Sequence, residues 1–168
     1  METYISKALA GDHEAFARLY DAYAPEALRL STAVTGRADL AADAVQEAFL
    51  RVYRKGYQCR GEFKPWFFRI VLNESYRMAS QNPYPSESAG EDSSPSFSEQ
   101  SDLTMTVHAA LDHLSPEHRV VLVLKYLFDY TERDIAKILD IRTGTVKSRI
   151  FYARKALAKE LNREELPL

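Results

Sequence analysis

The residues from Thr131 to Leu157, TERDIAKILDIRTGTVKSRIFYARKAL, constrain the fold most, because they hold two short amphipathic helices around a turn. Thr131 is a favourable N-cap and Asp134 follows three residues later, so a helix is predicted to start there. Thr143 can cap a second helix after the interruption at 140–142. Apolar residues at helical spacing give each helix one buried stripe: Ile135, Ala136, Ile138 and Leu139, then Val146, Ile150, Ala153 and Leu157. This pattern predicts a helix-turn-helix.

The opposite face of the second helix carries basic and aromatic side chains. From Thr143 to Leu161 there are five basic residues and one acidic residue. Such a balance is typical of a helix that lies against phosphates and base edges in a major groove. A solvated face on an ordinary helical hairpin is the alternative from this segment alone. The residues predicted to point outward or to flank that face are Ser148, Phe151, Tyr152, Lys155, Lys147, Arg149 and Arg154.

The middle of the chain differs in composition from both ends. Residues 81–103 contain three prolines, seven serines, five acidic residues and no Lys or Arg, in a chain of 168 residues with a net charge of -2. Such a segment buries too little apolar surface to order itself, so we expect a flexible acidic linker. The predicted fold is therefore all-α, with two small helical domains at 1–80 and 104–168, the second containing the helix-turn-helix.

Helical periodicity and Pro, Gly and Ser signals place the other helices. In the first domain they are predicted at 12–23, 25–35, 40–55 and 65–80, with Pro25 at a helix start. In the second, a short helix at 105–114 precedes one that is capped by Ser115, has Pro116 in its first turn and runs to about Phe128. The residues assigned mainly to the core by spacing are Val45, Ala48, Phe49, Val52 and Tyr53, then Trp66, Phe67, Ile70, Val71 and Tyr76, then Val120, Leu122, Val123, Leu124 and Leu127.

Two surfaces of the first domain stand out. Leu50 is centred on a polar face of its helix, which suggests a partner surface, although single exposed leucines are also ordinary. Near residue 65, aromatic and basic side chains are interleaved. These residues form core in most helical domains, but they could equally stack on and clamp unpaired bases. The set is Arg60, Phe63, Lys64, Trp66, Phe67 and Arg69.

The sequence lacks the motifs on which several classes of enzyme and metal-binding protein depend. The chain has no phosphate-binding loop, no dinucleotide-binding glycine pattern, no H-E-x-x-H and no cysteine pair. His108, His113 and His118 do not converge on a ligand site. Cys59 lies beside Arg60, yet a lone cysteine more often has no redox role. We expect no enzyme activity, no metal, no cofactor and no small-molecule substrate. The absence of a signal peptide or a long apolar run predicts a cytoplasmic protein without membrane insertion.

Three stretches of the sequence resemble one known family, the extracytoplasmic-function (ECF) sigma factors of bacterial RNA polymerase. In the first domain, DLAADAVQEAFLRVYRK and CRGEFKPWFFRIVLNES resemble the family's region 2. In the second, SPEHRVVLVLKYLFDYTERDIAKILDIRTGTVKSRIFYARKAL resembles region 4. The resemblance implies a dissociable specificity subunit that binds core polymerase and promoter DNA, with an anti-sigma factor as a further partner.

The resemblance also implies roles for individual residues. Asp43, Gln46, Glu47 and Leu50 match the face that docks on the polymerase's largest subunit. The residues that match the part melting the minus-ten element and holding an unstacked base are Arg60, Phe63, Lys64, Trp66, Arg69 and Asn73, with Trp66 as pocket support. Those that match the reader of the minus-thirty-five element are Arg142, Thr145, Lys147, Ser148, Arg149 and Tyr152.

The chain departs from the family's pattern at two places. Asp140 occupies the turn position where glycine is favoured, and Asp tolerates a left-handed backbone better than most residues do. In addition, the end of region 2 is usually rich in arginine, whereas MASQNPYPSES after Arg77 has no basic residue.

Two alternative hypotheses about function stand beside the sigma-factor interpretation. A self-sufficient regulator would bind operators as a dimer, and it would need a dimer seam that no long heptad here supplies. A helical hydrolase or adaptor unrelated to DNA would need a polar catalytic cluster, and the sequence shows none.

Overall fold

The computed structural model describes residues 2–55, 61–83, 107 and 109–164, and every regular element within these ranges is helical. The all-α prediction is thereby confirmed. The chain divides into two compact units, one holding residues up to Pro83 with the short segment Ala136–Ile141, the other holding the remainder. The predicted linker lies outside the described residues from position 84 onward. The helices with complete bounds are α1 (Glu2–Leu9), α2 (His13–Thr35), α3 (Ala38–Lys55), α4 (Phe63–Gln81), α5 (Pro116–Leu122) with a π-helical continuation (Val123–Leu127), α6 (Glu132–Leu139) and α7 (Thr143–Glu164). Residues 107 and 109–112, within the helix predicted at 105–114, are helical as well.

Helix α2 corrects the predicted break at Pro25. The helix is continuous through that residue, although proline lacks the N–H that would bond to the preceding turn. Pro25 is itself exposed, whereas Tyr23, Ala24 and Ala27 beside it are buried. Tertiary packing on both sides of the proline therefore holds the two halves in one helix. At the start of α2, Asp12 caps the helix by accepting a hydrogen bond from the Ala15 N–H at 3.0 Å.

Gly36 ends α2, and the next residue, Arg37, bonds to the first turn of α3. Gly36 ends α2 in the left-handed conformation, with φ 68°, and its N–H donates to the Thr32 carbonyl. Helix α3 begins at Ala38, two residues before the predicted start at 40, so Asp39 lies in its first turn. Hydrogen bonds from the Arg37 guanidinium lower the pKa of Asp39 below its usual value.

The first unit packs around aromatic residues of α2, α3 and α4, which contact one another pairwise, while α1 packs on α2. Phe67 and Phe68 are fully buried, and Phe67 lies 4.6 Å from the Phe49 ring centroid. Tyr53, predicted to be core, is exposed and stands edge-on to Phe16 at 5.1 Å. It lies at the rim of the helix contact, where a tyrosine can cover apolar neighbours and keep its hydroxyl in water.

In the second unit, α5 packs on α7. Ser115 caps α5 as predicted, with Pro116 in the first turn. The helix then widens into a π-helical turn in which the Phe128 N–H donates to the Val123 carbonyl at 3.3 Å. This widening changes the direction of the last side chains, and Leu127, predicted to be core, is exposed. The buried residues of α5 and α7 are Val120, Val121, Leu122, Val146, Ile150 and Ala153.

The helix-turn-helix has the local structure expected from its capping residues. Thr131 Oγ1 accepts from the Asp134 N–H, and Asp134 Oδ2 accepts from the Thr131 N–H, each at 3.2 Å. Asp140 in the turn has φ 57°, the left-handed conformation. Helix α7 starts one residue before the sequence suggested: Thr143 is its first residue, and the Arg142 carbonyl accepts the N–H of Val146 at 3.1 Å.

Candidate nucleic-acid and polymerase interfaces

The α3 face singled out by the sequence is a surface in the structure. Asp43, Gln46 and Leu50 are exposed and Glu47 is half-buried, all on one side of the helix. Leu50 keeps 37% of its surface exposed. The arrangement is an apolar side chain ringed by acidic and amide groups, which suits a partner helix that offers apolar and basic side chains.

Two tyrosines that the sequence interpretation did not assign to this surface also expose apolar area on α2 and α3. Tyr20 lies 4.7 Å from the Phe49 ring, and Tyr53 is three residues after Leu50 on α3. Residues three apart share a helix face, so the position of Tyr53 relative to Leu50 is the signal that could have predicted its exposure.

The start of α4 brings together most of the described residues expected to form a base pocket. Phe63 is only 6% exposed and stacks on Phe67, with ring centroids 5.6 Å apart. Trp66 is half-buried and tilted against Phe63 at 5.8 Å. Lys64 lies 3.0 Å from the Glu26 carboxylate. Arg60, which completes the predicted set, lies outside the described residues, as does Cys59.

Further along α4, the polar residues of the predicted set share one face. Arg69 and Asn73 are four residues apart, so their side chains leave the helix on the same side. Arg69 is half-buried and Asn73 is exposed. The exposed amide can both donate and accept a hydrogen bond, which is what recognition of a base edge requires. Arg77 follows Asn73 at the same spacing and is also exposed.

Helix α7 presents the predicted basic and polar residues outward. Arg142, Thr145, Lys147, Ser148 and Tyr152 are exposed, and Arg149 is half-buried. The Arg149 guanidinium lies 3.4 Å from Glu117 on α5, and the Lys147 ammonium lies 3.9 Å from Glu132 on α6. The Ser148 hydroxyl donates to the Gly144 carbonyl at 3.1 Å. Both cations lie close to carboxylates, and ion pairs at the surface contribute little to stability.

An aromatic pair adds to the α7 face. Phe151 and Tyr152 are 55% and 59% exposed, with ring centroids 5.3 Å apart, and the Lys155 ammonium lies 4.7 Å from the Phe151 centroid. The sequence predicted the outward direction of Phe151 but gave it no site role. The two neighbouring rings form a ridge that adds exposed apolar area to a basic surface.

A buried charge cluster was missed by the sequence analysis. The Glu74 side chain is 1% exposed and pairs with Arg51 of α3 and Arg77 of α4. Its position in the pattern of α4 gave no signal, because a buried carboxylate is recognised only when its partners are in place. The nearby Ser31 and Ser75 hydroxyls are also buried and bond to each other.

The described residues contain neither a metal cluster nor a membrane helix. Within them, no three His, Cys, Asp or Glu residues are grouped so that they could hold a metal ion. In the same ranges, none of the helices combines the length and the apolar character needed to cross a membrane.

Known proteins resemble the chain over nearly its whole length. The profile of Sigma-70 region 2 matches residues 19–82, and that of Sigma-70, region 4, matches residues 104–157. The ECF RNA polymerase sigma factor SigW of Bacillus subtilis is 30% identical over 184 residues, covering 96% of this chain and 98% of that protein. The ECF RNA polymerase sigma-E factor of Escherichia coli K12 is 30% identical over 175 residues, covering 93% and 91%.

Two solved structures share the fold. CnrH, solved in complex with the cytosolic domain of CnrY, has a TM-score of 0.71 at 22% identity and covers 96% of both chains. The sigma factor RpoE of Bartonella quintana, solved with the anti-sigma factor NepR, has a TM-score of 0.67 at 24% identity. That match covers 88% of this chain and 96% of RpoE.

Proposed function

The chain belongs to the ECF family of RNA polymerase sigma factors, and on that basis we propose how its surfaces divide promoter recognition and transcription initiation between them. The proposed domains are residues 1–80 and 104–168, with 81–103 as the connection. The first domain binds core polymerase and melts the minus-ten element, and the second binds the minus-thirty-five element. As a sigma factor the chain contributes specificity, and the polymerase supplies the chemistry.

The α3 surface is the proposed polymerase contact. The observation that carries the proposal is Leu50, which is exposed at the centre of a face formed with Asp43, Gln46 and Glu47. An apolar anchor surrounded by charges is typical of an interface whose centre excludes water and whose rim sets the orientation of the partner.

The beginning and middle of α4 form the proposed minus-ten site. Extracting a base from the stack costs a few kcal/mol, so the protein must offer a shaped pocket in return. In this proposal Trp66 and the buried Phe63 support such a pocket, and Asn73 and Arg69 bind base edges or phosphates. Lys64 and Arg60 complete the proposed set by attracting the backbone.

Helix α7 is the proposed minus-thirty-five reader. Lys147, Arg149 and Arg142 bind phosphates in this proposal, while Thr145, Ser148 and Tyr152 face base edges. The short side chains near the start of α7 allow a close approach to the groove, and the position that a Cβ would take at Gly144 is open space.

We further propose that an anti-sigma factor binds this chain and that it works in the cytoplasm with the polymerase. RpoE of Bartonella quintana was solved with such a factor, which supports this type of partner.

Run-off transcription tests the proposal. Purified chain and purified core polymerase are incubated with a library of genomic promoter fragments, with core polymerase alone as the control. We expect transcripts only when both proteins are present. Tight binding of promoter DNA by the chain alone, with no change in transcription, would instead favour a self-sufficient DNA-binding regulator.

A further inference from the structure

A buried carboxylate on α4 holds an arginine of α3 next to the proposed polymerase surface. The Glu74 side chain is almost wholly buried, and its two oxygens have different partners. Oε1 lies 2.8 Å from Arg51 Nη1, whereas Oε2 lies 2.7 Å from Arg77 Nη2 and 2.8 Å from Arg77 Nε. Each arginine therefore pairs with one oxygen of a carboxylate that is shielded from water.

The Arg51 guanidinium cannot leave Glu74 without a large cost in free energy. A buried carboxylate oxygen without a partner has lost its hydration and gained no hydrogen bond in exchange. Arg77 already uses Oε2, so the satisfaction of Oε1 depends on Arg51. The guanidinium is therefore held in place by a charge-assisted contact, although the Arg51 side chain is 43% exposed.

The same arginine lies near Glu47 of the polymerase surface but outside hydrogen-bond distance. Glu47 precedes Arg51 by four residues, the order in which the two charges pair well on a helix. Even so, Glu47 Oε1 lies 3.8 Å from Arg51 Nε. Glu14 and Arg18 on α2 have the same order and spacing and lie 2.8 Å apart. Attraction of Arg51 to Glu74 accounts for the longer distance on α3.

This geometry leaves the Glu47 carboxylate able to accept hydrogen bonds from a partner protein. The Glu47 side chain is 32% exposed and lies on the same side of α3 as Leu50. The charges of Glu47, Arg51, Glu74 and Arg77 sum to zero, so the cluster creates no net field. Its effect on a partner is local and depends on which carboxylate the Arg51 nitrogens bind.

We propose that buried Glu74 is a positioning residue for polymerase binding, because it holds Arg51 away from Glu47 and leaves that carboxylate for a basic group of core polymerase. Glu74 itself does not touch the polymerase. This inference rests on the proposed function of the α3 surface.

The test measures the affinity of the full chain for purified core polymerase, without DNA and at one salt concentration. Glu74→Gln keeps the shape of the buried side chain but removes the charge that holds Arg51. Arg51 should then pair tightly with Glu47, and affinity should fall about two- to fivefold, the range expected for one exposed ion pair. Affinity equal to that of the wild type would refute the role of Glu74.

A double-mutant cycle separates positioning from a general loss of structure. In a Glu47→Gln background, Glu74→Gln should cause no further loss of affinity, because the carboxylate that Arg51 would cover is gone. A merely structural role of Glu74 predicts the same loss in both backgrounds, and that result would overturn the proposal.

Removal of Arg51 provides a rescue experiment. Arg51→Met keeps an apolar stem on α3 and removes the competing cation. Added to Glu74→Gln, it should restore affinity to the wild-type level. Failure to restore affinity would contradict the proposal, since it would mean that Glu74 acts by another route.

Arg77→Ala is the matched control for a disturbed Glu74. It removes the other partner of the buried carboxylate and leaves the contact between Glu74 and Arg51 in place. Its affinity for core polymerase should equal that of the wild type. Should Glu74→Gln fail to fold by circular dichroism, Arg51→Met alone decides. Affinity at or above the wild-type level would support the proposal, and a fall would refute it by making Arg51 part of the contact.

The wild-type chain and Leu50→Arg keep this inference distinguishable from the proposed function. A wild-type chain that does not bind core polymerase, or a Leu50→Arg variant that binds as well as the wild type, would refute the α3 surface itself. A Leu50→Arg variant that binds weakly, together with a Glu74→Gln variant of unchanged affinity, would refute only the positioning role of Glu74.

Discussion

The hydroxyls of Ser31 on α2 and Ser75 on α4 lie 2.7 Å apart in the core of the first unit, although 44 residues separate them in the sequence. The Ser75 hydroxyl also lies 2.7 Å from the Val71 carbonyl, to which it donates. Since Ser75 has one hydroxyl hydrogen, Ser31 must donate to Ser75. The two helices are thus joined by a directed polar contact inside an apolar core.

This direction predicts unequal effects of two alanine substitutions. Ser75→Ala removes the acceptor of a buried donor, so we expect a loss of about 1–3 kcal/mol in the free energy of unfolding, against about 1 kcal/mol for Ser31→Ala. The double variant should lose less than the sum of the two, because no unpaired hydroxyl is left. Urea unfolding of all three variants measures this, and additive losses would contradict the shared bond.

Replacement of Leu50 tests the polymerase surface. Leu50→Arg removes the apolar anchor and cancels part of the acidic charge around it, so affinity for core polymerase should fall by at least about tenfold. Because Leu50 is exposed, the helical content should not change. Ala22→Arg, at an exposed position on α2, is the control for an added surface arginine. Co-purification of the Leu50 variant at the wild-type level would exclude this face.

Charge removal on α7 tests the upstream contact. Lys147→Ala combined with Arg149→Ala should reduce the salt slope of promoter binding by about two and weaken protection of the minus-thirty-five element. Lys159→Ala, an exposed lysine near the end of the same helix, should have a smaller effect. Footprints of the holoenzyme provide the measurement, and unchanged upstream protection in the double variant would count against α7 as the reader.

The backbone conformation of Asp140 in the turn predicts how substitutions there change stability. Its φ of 57° is left-handed, where a β-branched side chain is disfavoured and glycine is not. Asp140→Val should therefore lower stability by about 1–2 kcal/mol, and Asp140→Gly should equal or exceed the original stability. Thermal unfolding of the full chain compares them. A valine variant as stable as the wild type would show that the turn adopts another conformation.

The sequence alone was sufficient to predict the features that arise from interactions between residues close together in the chain. The cap at Thr131 and Asp134, the cap at Ser115 and the outward ridge of α7 were predicted because hydrogen bonds within one turn and a 3.6-residue period generate them. The polar face around Leu50 was predicted for the same reason. The motifs of regions 2 and 4 then identified the family that the comparisons confirmed.

The tertiary structure decided the features that depend on partners distant in sequence. Pro25 stays within a helix because buried neighbours hold both turns. Tyr53 is exposed because it lies at the rim of the helix contact, and Leu127 is exposed because the π-helical turn changes the direction of its side chain. From the sequence, Glu74 would be predicted to lie on the surface of α4. It is buried instead, and its ion pair with Arg51 of α3 makes that burial possible. Periodicity along one helix reports which residues share a face. Whether a face is covered, and whether a buried charge is balanced, depends on the neighbouring helix that packs against it.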